Sequence, residues 1–173
     1  LPIYHAPARL SRTDWRCARF FYPNLRCLAG HACMPHTFLG KLPHARNFTF
    51  LRDPIQRALS AYQYGHQRRR TMPALKDWLE NTADFQTRAL ACRADADDAI
   101  QRLERDVGFV GLVESFNESL LLFRHWLDEP AFDCRYLPRN TAHSSRIRDQ
   151  LLRDPDALDL IAEHHQHDLR VYR

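Results

Sequence analysis

The chain contains 173 residues, of which 45% are hydrophobic, and its 25 basic and 21 acidic side chains give a net charge of +4. A chain of this length can bury one hydrophobic core, so we predict a single domain over residues 1–173. No segment approaches the roughly 20 consecutive apolar residues that a membrane span requires, so no transmembrane segment is expected. The five cysteines are odd in number and form no CxxC pair, which favours free thiols in a reducing compartment.

Almost all of the positive charge is carried by arginine, because Lys41 and Lys76 are the only lysines in the sequence. Guanidinium groups bind phosphate and sulfate through two parallel hydrogen bonds, so this bias favours an anionic ligand. The alternative is a GC-rich genome, whose codons favour arginine without any functional reason. Both explanations remain open at this stage.

The clearest local pattern predicts a strand, a tight turn and a helix. Residues 47–51 form a β-branched and aromatic run that is typical of a strand. Asp53 is a good N-cap and Pro54 suits the first helical position, so a helix is predicted over residues 55–64. Apolar residues at helical spacing give this helix one buried face, formed by Ile55, Leu59 and Tyr62.

The later elements alternate between helix and strand. We predict helices at about residues 72–81 and 95–105, a strand at 108–113 leading into a helix at 116–127, a short strand at 132–137, and a C-terminal helix from residue 155 to the end. Such alternation predicts an α/β domain with a mostly parallel sheet flanked by helices. Ligands of these sheets bind at the carboxyl ends of strands, which is where Arg52 and Glu114 lie.

The turn after residue 51 is a candidate anion site. Arg52 ends the predicted strand beside the first turn of a helix, where free backbone N–H groups favour anions. Ser60 lies about two helical turns further on, so local geometry alone does not bring the two side chains together. As a bare tripeptide, Arg-Asp-Pro is more often a helix start than a binding site.

A longer stretch, residues 51–64, reads LRDPIQRALSAYQY and has every fixed position of the pattern LRDPxxRxxSxY. It resembles the 3'-phosphate-binding segment of carbohydrate sulfotransferases related to heparan sulfate and uronosyl 2-O-sulfotransferases. Further segments resemble the same family in the same order, so the resemblance spans residues 27–173. These segments are Gly30-His31, QTRAL at 86–90, the strand–helix unit at 109–120, Arg139-Asn140-Thr141 and DLRVY at 168–172.

The resemblance implies a P-loop-NTPase-like three-layer domain. It also implies a Pro-Lys-x-Gly-Thr-type loop that holds the 5'-phosphosulfate of the donor, 3'-phosphoadenosine-5'-phosphosulfate (PAPS). The sequence before Gly30 contains no glycine. We therefore expect the first strand and this loop to be missing from the chain, and a molecule that truly lacks them to be inactive.

The resemblance further implies roles for individual residues. Arg52 and Ser60 would bind the donor's 3'-phosphate, while Arg57 would either add a salt bridge or face solvent. His31 would be the general base, with His36 as the alternative. The remaining candidates are donor contacts at Arg139, Asn140 and Thr141, and acceptor-side residues at Gln86, Arg88 and Arg146.

For three residues, Gln86, Arg88 and Glu114, the sequence also allows a purely structural role. Gln86 and Arg88 would either shape the acceptor cleft or serve structure, Arg88 as a buried arginine. Glu114 is either a second acid–base group or an arginine partner, and we favour the ion pair.

The predicted function is metal-free transfer of a sulfuryl group from PAPS to a hydroxyl of a carbohydrate or glycan acceptor, which an arginine-rich site suggests is anionic. The product would be 3'-phosphoadenosine 5'-phosphate (PAP). The expected compartment is the cytoplasm for a bacterial protein and the Golgi lumen for a eukaryotic relative. The sequence predicts no oligomeric state.

Other functions are less well supported by the sequence. Cys27, His31, Cys33 and His36 match no common zinc spacing, and His164, His165 and His167 are expected on a solvated helix surface. A nucleic-acid-binding module would explain the arginines, but acidic residues are interspersed and no basic stripe with aromatics is present. A P-loop kinase would need GxxxxGK[ST], which is absent from the sequence. A degenerate, non-catalytic sulfotransferase relative also remains as an alternative.

Overall fold

The computed structural model describes the backbone of residues 3–5 and the whole of residues 11–25, 27–30, 33–34, 37–69, 71–137 and 143–173. Within these residues the chain is a mixed α/β protein with two separate pairs of parallel strands. None of the described helices is long and apolar enough to cross a membrane. The elements are β1 Ile3–His5, α1 Arg12–Phe21, β2 Cys27–Ala29, β3 Phe48–Leu51, α2 Pro54–Arg68, α3 Leu75–Thr82, α4 Phe85–Ala91, α5 Ala96–Asp106, β4 Phe109–Leu112, α6 Phe116–Leu127, α7 Arg146–Leu151, α8 Pro155–His164 and α9 Gln166–Tyr172.

The strand pair β3–β4 packs against α6 on one face, and β3 packs against α4 and α5 on the other, where Val110 and Leu112 of β4 are exposed. Successive strand residues point to opposite sides, so Phe50 and Leu51 face different layers. Phe50 packs against Phe116 and Phe123 of α6, with ring centroids 5.4 and 6.0 Å away. Leu51 is buried among residues of α4 and α5, including Leu90. The parallel β3–β4 pair is therefore a central layer between α6 and the α4–α5 pair.

Helix α2 forms as its sequence predicts. The Asp53 carboxylate accepts a hydrogen bond from the Gln56 N–H at 2.8 Å, and Pro54 occupies the first turn. Leu59 is completely buried and Tyr62 is 7% exposed, which confirms the predicted apolar face. A second core cluster forms where this face meets α3 and α8, at Leu79 and Ile161.

The predicted strand at residues 132–137 is wrong. This segment is irregular and runs along α6, held by its side chains. The Cys134 thiol lies 3.6 Å from the Leu120 carbonyl, and the Tyr136 hydroxyl donates to Asn117 Oδ1 at 3.2 Å. The Asp133 carboxylate accepts a hydrogen bond from the Arg135 N–H, which replaces the backbone pairing of a strand with a local turn.

Strand β2 and helices α4 and α7 were not predicted, and two further features also differ from the predicted elements. The C-terminal helix is divided into α8 and α9 at His165, whose backbone leaves the helical conformation at ψ 27°. At the other end of the chain, β1 and α1 form a strand and a helix ahead of β2, and β1 pairs with β2 in parallel. Neither β1 nor α1 is among the predicted elements, and residues 6–10 between them lie outside the described residues.

Candidate anion-binding site

Arg52 lies in the predicted corner, directly after β3 and before the first turn of α2. Its backbone is held by the buried side chain of Gln86 from α4. Gln86 Oε1 accepts a hydrogen bond from the Arg52 N–H at 2.9 Å, and Gln86 Nε2 donates to the Arg52 carbonyl at 2.8 Å. Both backbone polar groups of this turn residue are thereby satisfied, so the start of the Arg52 side chain has a fixed position.

Glu114 supports the same corner from the neighbouring strand. Leu51 of β3 and Leu112 of β4 are partners in the sheet, so the residues after them lie at one edge. The Glu114 carboxylate accepts hydrogen bonds from the Asp53 N–H and the Tyr172 hydroxyl, both at 2.9 Å. Partial burial raises the pKa of Glu114, but these hydrogen bonds and the nearby Arg52 charge outweigh it and lower that pKa overall.

The favoured ion pair of Glu114 with an arginine is therefore not its main interaction. Among the described residues, a backbone N–H and a tyrosine hydroxyl are what its carboxylate oxygens contact. An anionic side chain with these two bonds acts as a brace for the turn between Arg52 and α2.

Arg57 is the most unusual polar side chain of the site. Its guanidinium carbon lies 4.9 Å from the centroid of the Phe85 ring, in a cation–π contact. Two of its nitrogens, Nε and Nη2, are buried and have no hydrogen-bond partner among the described residues. Burial lowers the pKa of Arg57, the Asp168 carboxylate opposes this, and the positive charge of Arg52 lowers the pKa further.

Arg52 and Arg57 line one cavity of about 380 Å³. Leu28, Ala29 and Gly30 form part of its wall, and β3 and α4 supply most of the rest. Like charges on one wall repel each other, and buried guanidinium donors without acceptors are costly. An anion in this cavity would relieve the repulsion between the two charges.

Behind the cavity, Asp84, His165 and Asp168 form a buried cluster in which two helices cap each other. The Asp168 carboxylate accepts hydrogen bonds from the N–H groups of Gln86 and Thr87, in the first turn of α4, at 3.2 and 2.7 Å. The Asp84 carboxylate accepts from the N–H groups of His167 and Asp168, in the first turn of α9, at 3.0 and 3.1 Å. Each acidic residue therefore satisfies the free N–H groups of the other's helix.

The same cluster holds three possible metal ligands within 4.8 Å of one another. Its carboxylates are already engaged as helix caps, and His165 Nδ1 accepts a hydrogen bond from the Asp84 N–H at 3.0 Å. Helix capping accounts for this arrangement without a metal.

The expectation that His165 lies on a solvated surface is wrong. Its side chain is completely buried, because the break between α8 and α9 turns it towards Asp84. Burial lowers the pKa of His165, and the Arg57 charge lowers it further, while Asp168 and Asp84 oppose both. The neighbouring His164 and His167 are partly exposed.

The other candidate residues are distributed unevenly around the site. Ser60 lies on α2 one helical turn beyond Arg57, and it is not among the described residues that line the cavity. Arg88 is exposed, so it is not the buried structural arginine considered above, and Arg146 is exposed at the start of α7. The candidates that lie outside the described residues are His31, His36, Arg139, Asn140 and Thr141.

The zinc hypothesis gains nothing from the two cysteines that the structure describes. Burial raises the pKa of both thiols, that of Cys33 to about 11, and a thiol must lose its proton to bind zinc.

Sequence reasoning missed Asp84 and His165 as site-forming residues. The signal for Asp84 was weak, because it has a left-handed backbone with φ 48° and caps a helix more than 80 residues away. No protein-family model matches this chain, and comparisons with curated proteins and with solved structures likewise gave no match.

Proposed function

We propose that the cavity beside Arg52 binds the 3'-phosphate of PAPS and that the protein is an O-sulfotransferase acting on a carbohydrate hydroxyl. The observation that carries the proposal is the pair of arginines, Arg52 and Arg57, on the wall of one cavity. A doubly charged terminal phosphate between the two side chains would offset their like charges.

The sequence suggests which class of anion this site would bind. Arg52 and Arg57 are both fixed positions of the LRDPxxRxxSxY pattern, which the family resemblance assigns to the 3'-phosphate. Ser60 would donate a hydroxyl to the same ligand from the next turn of α2. The volume of about 380 Å³ accommodates part of a nucleotide, so the rest of the donor would extend beyond the cavity.

The fold belongs to the same proposal. The support for a P-loop-like three-layer domain is the parallel β3–β4 pair with its flanking helices, together with the parallel β1–α1–β2 unit, whose strands form a separate sheet. We propose this architecture as the frame of the donor site.

The reaction would be an in-line displacement at sulfur. The acceptor oxygen forms a new bond to sulfur while the bond from sulfur to the 5'-phosphate oxygen breaks. The acceptor proton passes to a histidine, His31 or His36, and PAP leaves with the negative charge. Because such transfers have loose transition states, positioning of donor and acceptor is the main contribution of the protein.

Calorimetry with PAP tests the donor site. Arg52→Ala should weaken PAP binding by about 1.5–3 kcal/mol, the value of a charged hydrogen bond, while its backbone bonds to Gln86 remain possible. Arg153→Ala is the matched control, since it removes the same charge from an exposed position before α8 and should bind as the wild type does.

Comparison with adenosine 5'-phosphate, which lacks the 3'-phosphate, measures the contribution of the contact between Arg52 and that phosphate. The wild type should prefer PAP over this nucleotide, and Arg52→Ala should lose most of that preference. If wild type and Arg52→Ala bind PAP equally, the assignment is wrong. Salt-dependent binding to DNA or RNA without PAP binding would instead favour a nucleic-acid-binding module.

Turnover in the complete protein tests the chemistry. His31→Ala should abolish sulfuryl transfer and leave PAP binding nearly unchanged, whereas persisting turnover would point to His36 or to another base.

A further inference from the structure

A second cavity, of about 500 Å³, lies between α1, the residues before β3, and α6. Its wall is dominated by aromatic and aliphatic side chains. Among them are Trp15 of α1, Phe48 of β3, Phe123 of α6, Phe132, and the buried Leu25 and Leu39. A volume between 300 and 1,000 Å³ with mostly apolar walls is typical of small-molecule sites.

Two polar side chains in this wall have partners elsewhere. Asn47 Nδ2 donates to the carbonyls of Gly40 and Asp106 at 3.0 and 2.9 Å. Arg46 lies over the Trp126 ring, 4.0 Å from its centroid, and donates to the backbone carbonyls of Trp126 and Leu127. These donors are therefore engaged in the fold. Arg19, His44 and Glu129 also line the cavity, with Arg19 placed over the Trp15 ring, so an apolar ligand group would contact the aromatic and aliphatic part of the wall.

The second cavity shares a wall with the cavity that holds Arg52 and Arg57. Six residues line both: Leu28, Ala29, Cys33, Arg46, Asn47 and Phe48. An occupant of the second cavity would therefore be separated from an occupant of the first by roughly one layer of side chains. Two compartments, one cationic and one apolar, therefore lie side by side in this part of the protein.

We propose that the second cavity binds an aromatic group carried by the acceptor, so that the acceptor is an aryl glycoside and not a purely polar glycan. This inference rests on the proposed sulfotransferase function, because only a sulfotransferase would have an acceptor. The aromatic side chains Trp15, Phe48, Phe123 and Phe132 favour a planar ring over a flexible chain, because ring–ring contacts add to the apolar burial.

Binding of two glucosides in the absence of PAP tests the aromatic site by itself. Quenching of tryptophan fluorescence reports on Trp15 in the wall when p-nitrophenyl β-glucoside is added, and calorimetry compares this probe with methyl β-glucoside. The wild type should bind the nitrophenyl compound at least about tenfold more tightly, as expected from burial of one aromatic ring.

A cavity-filling variant locates the site. Ala45 lines the second cavity and is exposed, so Ala45→Phe should occupy the cavity and reduce the tenfold preference to about one. Ala74→Phe is the matched control, because Ala74 is exposed before α3 and lies outside the cavity wall. Both variants should unfold at the wild-type temperature and bind PAP as the wild type does.

The outcomes separate this inference from the proposed function. Equal affinity for the two glucosides, or a nitrophenyl preference that survives Ala45→Phe, overturns the aromatic site even if PAP binds. Failure of PAP binding with the nitrophenyl preference intact overturns the donor assignment and leaves an aryl-binding cavity.

Discussion

The carboxamide of Gln86 forms two hydrogen bonds with the backbone of one residue, Arg52, accepting from its N–H and donating to its carbonyl. The two residues are 34 positions apart in sequence. This pairing fixes the turn between β3 and α2 from the side of α4, as a neighbouring strand would. The position of the Arg52 backbone therefore depends on a neutral side chain from another element.

Gln86→Leu should reduce both stability and PAP affinity. The substitution keeps the side-chain size and leaves two backbone groups of Arg52 without partners, at a cost of about 1–3 kcal/mol in the free energy of unfolding. Urea denaturation measures this loss, and calorimetry measures PAP binding. Gln86→Glu keeps the acceptor for the Arg52 N–H and should lose less stability than Gln86→Leu; equal losses would contradict the bonding scheme.

Asp168→Ala should be strongly destabilising. It removes the acceptor of two buried N–H groups in the first turn of α4, so the free energy of unfolding should fall by about 2–4 kcal/mol. Asp159→Ala, at an exposed position of α8, should change it by less than about 0.5 kcal/mol. A loss as small as that of the control would show that Asp168 does not cap α4.

Protonation of His165 should destabilise the folded protein. Its pKa is lowered in the folded state, so the unfolded chain binds the proton more readily, and stability falls as the pH drops below the ordinary value of 6.5. The groups facing the ring are Arg57, Asp84, Asp168 and His164. Thermal or urea unfolding between about pH 7.5 and pH 5 measures the slope.

The matched variants for this titration are His165→Gln and His125→Gln. Glutamine at 165 does not titrate, so the stability of His165→Gln should depend less on pH over this range. His125 is exposed on α6, and its replacement should leave the wild-type slope. The prediction fails if His165→Gln has the same slope as the wild type.

Zinc ions and chelators should leave the melting temperature unchanged. The carboxylates of Asp84 and Asp168 are engaged with backbone N–H groups, and a metal would have to displace those caps. A ligand that binds only the folded state raises the melting temperature increasingly as its concentration exceeds its dissociation constant. A zinc-dependent rise that Asp168→Asn removes would therefore establish a metal site in this cluster.

The parts of the fold that could be predicted from the sequence are those determined by neighbouring residues, such as helix caps. The Asp53–Pro54 helix start and the Asp95 cap fix the beginnings of α2 and α5 within one residue of the predicted bounds. The segment at 132–137 has a strand-like composition, but side-chain contacts with α6 determine its path. Composition does not encode such contacts between distant elements.

In the candidate site, too, the features with local causes were predictable from the sequence and the contacts between distant elements were not. Arg52 was predicted at the end of its strand, because the strand–turn–helix pattern is local. Its partnership with Gln86, and the burial of His165, depend on how α4 and α9 pack, which no periodicity along the chain reveals. Glu114 was placed at the correct strand edge, but its bond to the Tyr172 hydroxyl joins residues 58 positions apart.

The mutual capping of α4 and α9 also sets an order for synthesis of the protein. The Asp168 carboxylate arrives on the ribosome 82 residues after Gln86, whose N–H group it satisfies. Until then the first turn of α4 lacks its cap, and the glutamine that positions Arg52 sits at a frayed helix end. A nascent or truncated chain that stops before residue 166 should therefore keep the Glu114 bond to the Asp53 N–H and lack the cap on α4. The complete set of contacts around Arg52 would form only after α9 has been translated.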